Sequence, residues 1–386
     1  MLKKGLFVAF CALAVVILPA FSGFGVAKAE IAENVKSQVL IEYGTGQVLT
    51  ENNSKQHLPI ASVTKLTTLL LAFEALDNGV LTLDQKLTAS ANASSMGGSQ
   101  VFIDANAEYS VENLLHAIVI SSANDASVVI AEAIGGSEQG FVNLMNEKAK
   151  SLGANDTNYG NCTGLPCANA YSCANDVALI MREVLSHSHY FDISKIWMED
   201  FEHPSGRITQ MANTNKLLRT YTGCDAGKTG STNEAGFCMS ATAKRGSMRL
   251  IAVVLGAESS KDRFGACSSL FDWGFANYTS EKLIDCTTAL DINCAIAQAK
   301  AQPQFFASED FYTLNKKGEK SNLSVNYEMY NNLKAPISGN TAVGKIVITD
   351  NGVVLKEIDI VTNQNVDARS FKDNMNEILS HWAIKK

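Results

Sequence analysis

The amino-acid sequence predicts an α+β fold, in which one sheet is covered by helices and a small all-β domain follows. Segments with the alternating pattern of strands occur near residues 39–49 and again after residue 225, and helical periodicity dominates between them. From Phe305 onward the pattern returns to short alternating strands. A chain of 386 residues with 46% hydrophobic residues also exceeds the size at which single cores stop growing, so two domains are expected.

The first 29 residues have the pattern of a signal peptide. Lys3-Lys4 supplies a positive region, Leu6–Leu18 is an unbroken apolar stretch, and Ala27-Lys28-Ala29 offers small residues for cleavage. The apolar stretch is too short to cross a hydrocarbon core of about 30 Å comfortably. We therefore expect an exported chain that begins near Glu30 and works at the extracytoplasmic face of the membrane or in the cell wall.

The charge of the chain argues against a nucleic-acid partner. The formal net charge is −7, and it becomes −10 when residues 1–29, with their three lysines and no acids, are removed. An acidic protein without a basic run lacks the electrostatic footprint of a nucleic-acid-binding protein.

Eight cysteines follow the predicted signal peptide, and an even number in an exported chain permits disulfides. Cys224 and Cys238 lie symmetrically about Ser231 in a predicted hairpin, where we expect them to face one another. The three cysteines within residues 162–173 lack a Cys-x-x-Cys unit and nearby histidines, so disulfides or buried thiols are favoured over zinc. No metal or cofactor is expected. The eight are Cys162, Cys167, Cys173, Cys224, Cys238, Cys267, Cys286 and Cys294.

A predicted hairpin around the turn Gly44-Thr45-Gly46 opens the first domain, which we place at residues 30–278. A helix is predicted from Ser62, where apolar residues begin to recur at three- and four-residue steps, to the stop signal Asn78-Gly79. We expect the first and last strands of this domain to share one sheet. The other predicted elements are helices at Leu114–Ile120, Ala126–Ile134 and Asp176–Leu185, and strands at Ala226–Thr229, Gly236–Thr242 and Leu250–Leu255.

Residues 279–366 are predicted to form the β-rich domain, and residues 367–386 an amphipathic helix. Ser370 and Asp373 resemble a capping box at its start. This tail either rests on a membrane surface as an interfacial helix or packs against the β-domain, and its net charge of +1 favours neither. The apolar residues that fall on one helical face are Phe371, Met375, Ile378, Leu379 and Trp382.

Ser62 and Lys65 form the one Ser-x-x-Lys match in the chain. On a helix this spacing places both side chains on one face, and the helix N-terminus stabilises negative charge at the serine. For Lys65 to accept the serine proton, its pKa must fall from about 10.4 towards 7 or 8, which corresponds to roughly 4 kcal/mol. Burial and a second cation, for which Lys228 is the candidate, would lower it. Both residues are common on exposed helices, so the pair indicates nucleophilic catalysis by serine only together with the two motifs that follow.

Two further motifs follow in order. Ser-x-Asn recurs in the chain, for example at Ser90-Ala91-Asn92 and Ser338-Gly339-Asn340, and we favour Ser122-Ala123-Asn124 because it lies at a turn after a predicted buried helix. Lys228-Thr229-Gly230 lies on a predicted strand, where lysine supplies charge, threonine a hydroxyl, and glycine room for a substrate backbone. Ser231 and Thr232 extend that edge with further donors. The three motifs together predict acyl transfer through a serine ester.

These motifs resemble those of the low-molecular-weight penicillin-binding proteins that are serine-type D-alanyl-D-alanine carboxypeptidases. The resemblance runs from about residue 35 to the end, and it implies a penicillin-binding/β-lactamase-like transpeptidase fold. Beyond the three motifs it rests on Thr163-Gly164-Leu165, Met248-Arg249-Leu250-Ile251, Val253-Val254-Leu255-Gly256, Trp273-Gly274-Phe275, Ala335-Pro336-Ile337 and Val343-Gly344.

The resemblance implies a role for each motif residue in cutting peptidoglycan pentapeptides that end in D-Ala-D-Ala. Ser62 would attack the penultimate D-alanine carbonyl with Lys65 as base, and the amides of Ser62 and Ser231 would form the oxyanion hole. Ser122 would relay the proton to the leaving D-alanine. β-Lactam antibiotics would acylate the same serine as covalent inhibitors.

Substrate binding is likewise implied by the resemblance. Asn124 would hold the peptide, and Lys228, Thr229 and Thr232 would meet the terminal carboxylate. Arg263 matches the position of an additional arginine that reads this carboxylate in the family. The sequence departs from many relatives at Ala170, where they have histidine, and in the three cysteines around it.

Other functions fit the sequence less well. A class A β-lactamase shares the three motifs but needs a deacylating glutamate, typically in Glu-x-x-Leu-Asn, which is absent between Ser122 and Lys228. The chain lacks His-Glu-x-x-His for a metallohydrolase and Gly-x-Ser-x-Gly for an α/β-hydrolase. A catalytically silent wall-binding protein would not need the intact serine, lysine and Lys-Thr-Gly set.

Overall fold

The computed structural model describes residues 32–319 and 322–383, so the predicted signal peptide lies outside the described residues. Up to residue 284 the strands are β1 (Ser37–Glu42), β2 (Val48–Asn52), β3 (Lys86–Thr88), β4 (Glu108–Ser110), β5 (Met198–Glu202), β6 (Ile208–Ala212), β7 (Cys224–Thr232), β8 (Gly236–Arg245), β9 (Met248–Ala257) and β10 (Tyr278–Ile284). The helices of the same part are α1 (Lys65–Asp77), α2 (Ala91–Ser94), α3 (Val111–Ile120), α4 (Asn124–Gly135), α5 (Glu138–Ser151), α6 (Ala174–Val184), α7 (Ser188–Ser194), α8 (Leu217–Thr220) and α9 (Ser260–Asn277).

An antiparallel five-stranded sheet forms the centre of this part, in the order β2-β1-β9-β8-β7. The N-terminal hairpin β1–β2 therefore pairs with β9, more than 200 residues later, as the sequence predicted. This arrangement leaves β7, which carries the Lys-Thr-Gly motif, at an edge of the sheet. An edge strand has backbone groups that are free to pair with an extended peptide.

The sheet is buried on both faces because alternate residues of its inner strands enter two different cores. In β9, Ile251 and Val253 pack with helices α1, α3, α4 and α6 on one side. Leu250 and Ala252 pack on the other side, against α9 residues such as Phe271. Successive strand residues point to opposite faces, so a continuous apolar run is what such a strand requires. The α+β class, with helices covering one sheet, is confirmed.

Helix α1 lies inside the larger core and positions the first motif. Leu66, Leu69, Leu70 and Phe73 are almost fully buried, which explains the helical periodicity in the sequence. The α-helix begins at Lys65 rather than Ser62, because residues 61–64 form a tighter 3₁₀ turn that enters it. The helix ends in the expected place, where Asn78 is followed by Gly79 with a φ of +68°.

The C-terminal part is all-β up to a final helix, as predicted. Strand β10 pairs with the first long strand of this part, and a four-stranded sheet holds most of its core. Over the described ranges, no helix is both long enough and apolar enough to cross a bilayer. The elements are β11 (Phe306–Ala307), β12 (Phe311–Lys316), β13 (Leu323–Met329), β14 (Ala342–Asp350), β15 (Val353–Val361) and α10 (Phe371–Ala383).

The cysteines of the described chain are all free thiols. The expectation that Cys224 and Cys238 face one another is wrong. Cys224 lies opposite Ala243, and Cys238 lies opposite Gly230. The turn of the β7–β8 hairpin follows Thr232, so the hairpin is centred three residues later than Ser231. Among the described residues, Cys173 lies with Asp156 and Asp176 in one group of potential metal ligands, whereas the three cysteines of 162–173 do not lie together in any such group.

Candidate active site

Ser62 and Lys65 meet as the Ser-x-x-Lys spacing predicts. Ser62 lies in the 3₁₀ turn, directly after Ala61, whose φ is +47°. Lys65 begins α1, and its Nζ atom lies 3.0 Å from Ser62 Oγ. The Lys65 side chain is fully buried, which is unusual for lysine and requires polar partners.

Two further acceptors hold the Lys65 amine. Its Nζ atom donates to Asn124 Oδ1 at 2.6 Å and to the Thr163 carbonyl at 2.7 Å. The Asn124 amide is oriented from its other end, since its Nδ2 atom donates to the Gly97 carbonyl at 2.6 Å. A neutral amine has two N–H bonds and one lone pair. With both N–H bonds directed to these acceptors, the lone pair faces Ser62 Oγ.

The pKa of Lys65 is lowered to about 7, and burial is the largest cause. Electrostatic interactions with Cys162 and Asp125 oppose this change but do not cancel it. Burial also lowers the pKa of Lys228 well below its usual range, and repulsion from Lys65 and Arg263 lowers it further. The sequence-based argument named both burial and a second cation. Burial is the dominant cause, and the effect of lysine–lysine repulsion falls on Lys228.

Ser122 and Lys228 form the second hydrogen-bonded pair of the site. Lys228 Nζ donates to Ser122 Oγ at 2.7 Å. Ser122 lies between α3 and α4 with a φ of +64°, a sparsely populated conformation for serine that helps to aim its side chain. The Ser-x-Asn matches at Ser90 and Ser338 lie elsewhere, at the start of α2 and just before β14. The structure thus brings Ser122, and not these, to the site.

The edge strand β7 approaches the nucleophile very closely at Gly230. A Cβ atom there would lie 2.7 Å from the Ser62 amide nitrogen and 2.8 Å from the Ile60 carbonyl oxygen. Glycine is required because both are backbone atoms that cannot rotate away. Farther along β7, Ser231 is exposed, and the Thr232 hydroxyl accepts from the Ala235 amide in the turn. The Thr232 O–H remains free to donate.

Arg263 lies behind this strand on α9, and only 7% of its surface is exposed. Its Nη1 atom donates to the carbonyls of Gly230 and Cys238, each at 3.3 Å. The guanidinium also lies 4.6 Å from the Phe264 ring centroid and 5.6 Å from that of Phe237. In this structure Arg263 therefore supports the β7–β8 hairpin from within and adds positive charge beside Lys228.

Sequence reasoning assigned no role to several residues that build the site. Thr163 offers only its backbone carbonyl, and Gly164 next to it adopts a φ of +79° where a Cβ atom would collide with Ala61. The buried Asp125 carboxylate accepts hydrogen bonds from the amides of Val101 and Ile103, which fixes the chain segment beside Gly97. Thr163-Gly164 and Asp125 occur in the motif text, but without a side-chain pattern that would indicate these contacts.

The neighbourhood of Ala170 is where the sequence departs from many relatives. Ala170 and Cys167 line a small cavity next to Ala61 and Thr232. Cys162, by contrast, is buried with its Sγ atom 3.5 Å from Glu138 Oε1, and burial raises the pKa of its thiol well above the usual range. Neither difference displaces the hydrogen bonds of Ser62 and Lys65.

Comparison with known proteins identifies the family. Residues 24–259 match the sequence model of the peptidase S11 family, described as D-alanyl-D-alanine carboxypeptidase. The chain belongs to the D-alanyl-D-alanine carboxypeptidase family. Residues 297–368 match a second model, the C-terminal domain of penicillin-binding protein 5. This match confirms the expected C-terminal β-domain.

Proteins similar to this chain match most of its length. It is 36% identical over 92% of its length to D-alanyl-D-alanine carboxypeptidase DacF of Bacillus subtilis, of which 91% is covered. Among solved structures, penicillin-binding protein 5 of Haemophilus influenzae matches 86% of this chain and 98% of its own, with 29% identity and a TM-score of 0.67. Penicillin-binding protein D2 of Listeria monocytogenes, in its ampicillin-bound form, matches 64% of this chain and 99% of its own, with 30% identity and a TM-score of 0.55.

The low pKa of Lys65 predicts the pH dependence of acylation at Ser62. Only a neutral amine can accept the serine proton, and this form of Lys65 predominates only above a pKa of about 7. We expect the second-order rate constant for labelling by a fluorescent β-lactam to rise about tenfold per pH unit below pH 7 and to level off above it. Labelling rates between pH 5 and 9.5 check this, and a rate that still climbs steeply at pH 9 would contradict it.

The close approach at Gly230 predicts that Gly230→Ala cripples acylation. The added methyl group must push β7 away from the Ser62 backbone, and a displacement near 1 Å costs about 100-fold in rate. Gly265→Ala is the matched control, because a Cβ atom on that α9 residue meets nothing within 4 Å. β-Lactam labelling rates of both variants measure the effect, and equal rates would show that the contact at Gly230 does not position Ser62.

Proposed function

We propose that the chain is a serine-type D-Ala-D-Ala carboxypeptidase that removes the terminal D-alanine from peptidoglycan pentapeptides through an acyl-enzyme on Ser62. The observation that carries this proposal is the buried Lys65 amine, held 3.0 Å from Ser62 Oγ by Asn124 and Thr163 with a pKa of about 7. A base with this pKa can take the serine proton near neutral pH. The activity is penicillin-sensitive and serves cell-wall biogenesis.

In the acylation step, Lys65 takes the proton from Ser62 as Oγ attacks the carbonyl carbon of the penultimate D-alanine. Negative charge then develops on the carbonyl oxygen, and the amides of Ser62 and Ser231 are the donors we assign to it. Support for this assignment comes from the close approach of Gly230 to the Ser62 amide, since it brings β7 beside the nucleophile.

Collapse of the tetrahedral intermediate breaks the bond to the terminal D-alanine, whose nitrogen needs a proton. Ser122 donates its hydroxyl proton to that nitrogen and takes up in exchange the proton that Lys65 accepted from Ser62, so Lys65 returns to its neutral form. The 2.7 Å hydrogen bond from Lys228 to Ser122 supports this relay. Water then attacks the ester, with Lys65 again as base, and releases the shortened peptide.

The terminal carboxylate is the feature that we assign to Lys228, Thr229, Thr232 and Arg263. A carboxylate beside Lys228 favours its protonated form, so the substrate itself offsets the repulsion that lowers the pKa of this lysine. Thr229 is held by a 2.7 Å hydrogen bond to Thr214, which fixes its hydroxyl at the strand edge. The second N–H of Asn124 remains to hold the peptide.

A β-lactamase is the alternative, and the site does not favour it. Among the described residues, no Asp or Glu side chain is hydrogen-bonded to Ser62, Lys65 or Ser122. A class A β-lactamase needs a glutamate positioned to activate the deacylating water. We therefore expect β-lactams to remain on Ser62 as slowly released covalent inhibitors, in keeping with the ampicillin-bound form of the Listeria relative.

We also propose the domain limits and the location that the sequence predicted. Residues 1–29 are a signal peptide, 30–278 the catalytic domain, 279–366 the β-domain, and 367–386 a helix that attaches the exported enzyme to the membrane surface. The exposure of its apolar face supports the attachment, because Phe371, Ile378 and Leu379 are 81%, 53% and 56% exposed and do not pack against the β-domain.

Ser62→Ala tests the proposed reaction. We expect the loss of both fluorescent β-lactam labelling and D-alanine release from a pentapeptide ending in D-Ala-D-Ala, because no other group replaces the nucleophile. Ser338→Ala, in another Ser-x-Asn match, should keep both. Unchanged labelling of Ser62→Ala would remove Ser62 as the nucleophile. Rapid β-lactam turnover by the wild type without D-alanine release would reverse the choice between carboxypeptidase and lactamase.

Fractionation of cells that produce the enzyme tests its location. We expect the full chain to lose residues 1–29 and to sediment with membranes. A chain that stops after Val366 should also be processed, but it should remain in the soluble extracytoplasmic fraction. Mass spectrometry reads the processed N-terminus. An unprocessed chain would contradict the signal peptide, and membrane association without the tail would contradict the attachment helix.

A further inference from the structure

A histidine and two glutamates come together at the end of α1 that is remote from Lys65. Glu74 lies in the last turns of α1, Glu183 at the end of α6, and His187 at the start of α7. One carboxylate oxygen from each glutamate and one ring nitrogen of the histidine lie within 4.8 Å of one another. The rise of an α-helix puts Glu74 about 14 Å from Lys65 along α1, so this cluster is separate from the active site.

The ring of His187 is held in one tautomer. Its Nδ1 atom lies 2.6 Å from Asp77 Oδ2, and only 10% of the side chain is exposed. A carboxylate only accepts, so Nδ1 carries a hydrogen, and in the neutral ring Nε2 then carries a lone pair. That Nε2 atom is buried and has no hydrogen-bond partner within the described chain. A buried nitrogen without a partner is costly, and a carboxylate on the opposite nitrogen is the usual arrangement of a metal-bound histidine.

The charges around His187 also remain unbalanced. The only partner of the Glu74 carboxylate in the described structure is Lys148, whose Nζ atom lies 2.7 Å from Oε1. The Glu183 carboxylate, although partly buried, has neither a hydrogen bond nor an ion pair with any described residue. Glu74, Glu183 and Asp77 thus bring three negative charges against the one positive charge of Lys148. The excess of two matches the charge of a divalent cation.

Two other groups with metal-ligand atoms occur in the described chain, and both lack these features. In one, Asp176 already accepts hydrogen bonds from Thr157 and the Asp156 amide. In the other, Asp310 is bound by Lys282 and by the Cys286 amide. The protein itself satisfies these carboxylates, whereas Glu183 and His187 Nε2 are left open.

We propose that Glu74, Glu183 and His187 bind a divalent first-row transition-metal ion, such as Zn²⁺, with Asp77 orienting the histidine. One nitrogen and two carboxylate oxygens suit such an ion, with water completing the coordination. Ligand atoms about 2.0–2.2 Å from a common centre lie closer together than 4.8 Å, so the side chains draw inward on binding. The ion ties α1 to the α6–α7 turn and has a structural role.

Calorimetric titration of the full chain with Zn²⁺ tests this proposal. We expect His187→Gln and Glu183→Gln each to abolish one equivalent of binding. Asp77→Asn keeps all three ligands and should weaken binding by about 10- to 100-fold. His116→Gln is the matched control, because His116 is also paired with a carboxylate, Glu199, and is 18% exposed, yet it belongs to no metal-ligand group of the described chain. It should bind as the wild type does.

Binding of Co²⁺ separates this site from the free thiols. Nitrogen and oxygen ligands give weak visible bands, whereas thiolates add intense sulfur-to-metal charge transfer in the near ultraviolet. The wild type should show the first pattern and lose it in Glu183→Gln, whose fold circular dichroism checks. A thiolate spectrum, no saturable binding, or Zn²⁺ affinity unchanged in both Glu183→Gln and His187→Gln would overturn the proposal. Acylation of Ser62 measured alongside reports on the catalytic function separately.

Discussion

The burial of two lysine amines within one hydrogen-bonded site is the constraint on which the rest of the structure depends. Taking an ammonium group out of water is costly, and two of them close together cost more. Lys65 and Lys228 are 0% and 1% exposed. This arrangement is tolerated because each amine has polar partners, and because the neutral form of Lys65 relieves the repulsion between Lys65 and Lys228. The burial that makes the site costly for the fold is also what lowers the pKa of Lys65 towards the value that the proposed base needs.

The two amines and the groups that hydrogen-bond them come from three separate parts of the chain. The α3–α4 turn supplies Ser122 and Asn124, the segment before α6 supplies the Thr163 carbonyl, and β7 supplies Lys228. Each part is itself fixed by buried contacts, such as those of Asp125 with the amides of Val101 and Ile103. The sheet and its two cores therefore hold these three parts at fixed positions relative to one another. The α+β architecture meets that requirement.

The sequence predicted the fold class and the proximity of Ser62 and Lys65, because both leave patterns in residue type and spacing. The alternation in β9 and the periodicity of α1 arise from burial, and Ser62 and Lys65 share a face because of helical geometry. Backbone atoms leave no such pattern, so the role of the Thr163 carbonyl was not foreseen. The Cys224–Cys238 expectation failed because it took Ser231 as the centre of a hairpin whose turn lies after Thr232. Hairpin centres depend on turn geometry, which symmetry of cysteine spacing does not define.

The contact between Gly230 and the Ser62 backbone has a consequence for how such an enzyme can change over time. Strand β7, to which we assign substrate binding, and the turn that carries the proposed nucleophile Ser62 touch without any side chain between them. In the proposed enzyme, a mutation that widens the groove to exclude an antibiotic would therefore also move Ser62, and binding of the natural substrate would be lost with that of the drug. We therefore expect drug resistance to arise from substitutions in the surrounding loops, or from a change in the amount of enzyme that a cell makes, rather than from substitutions at this contact.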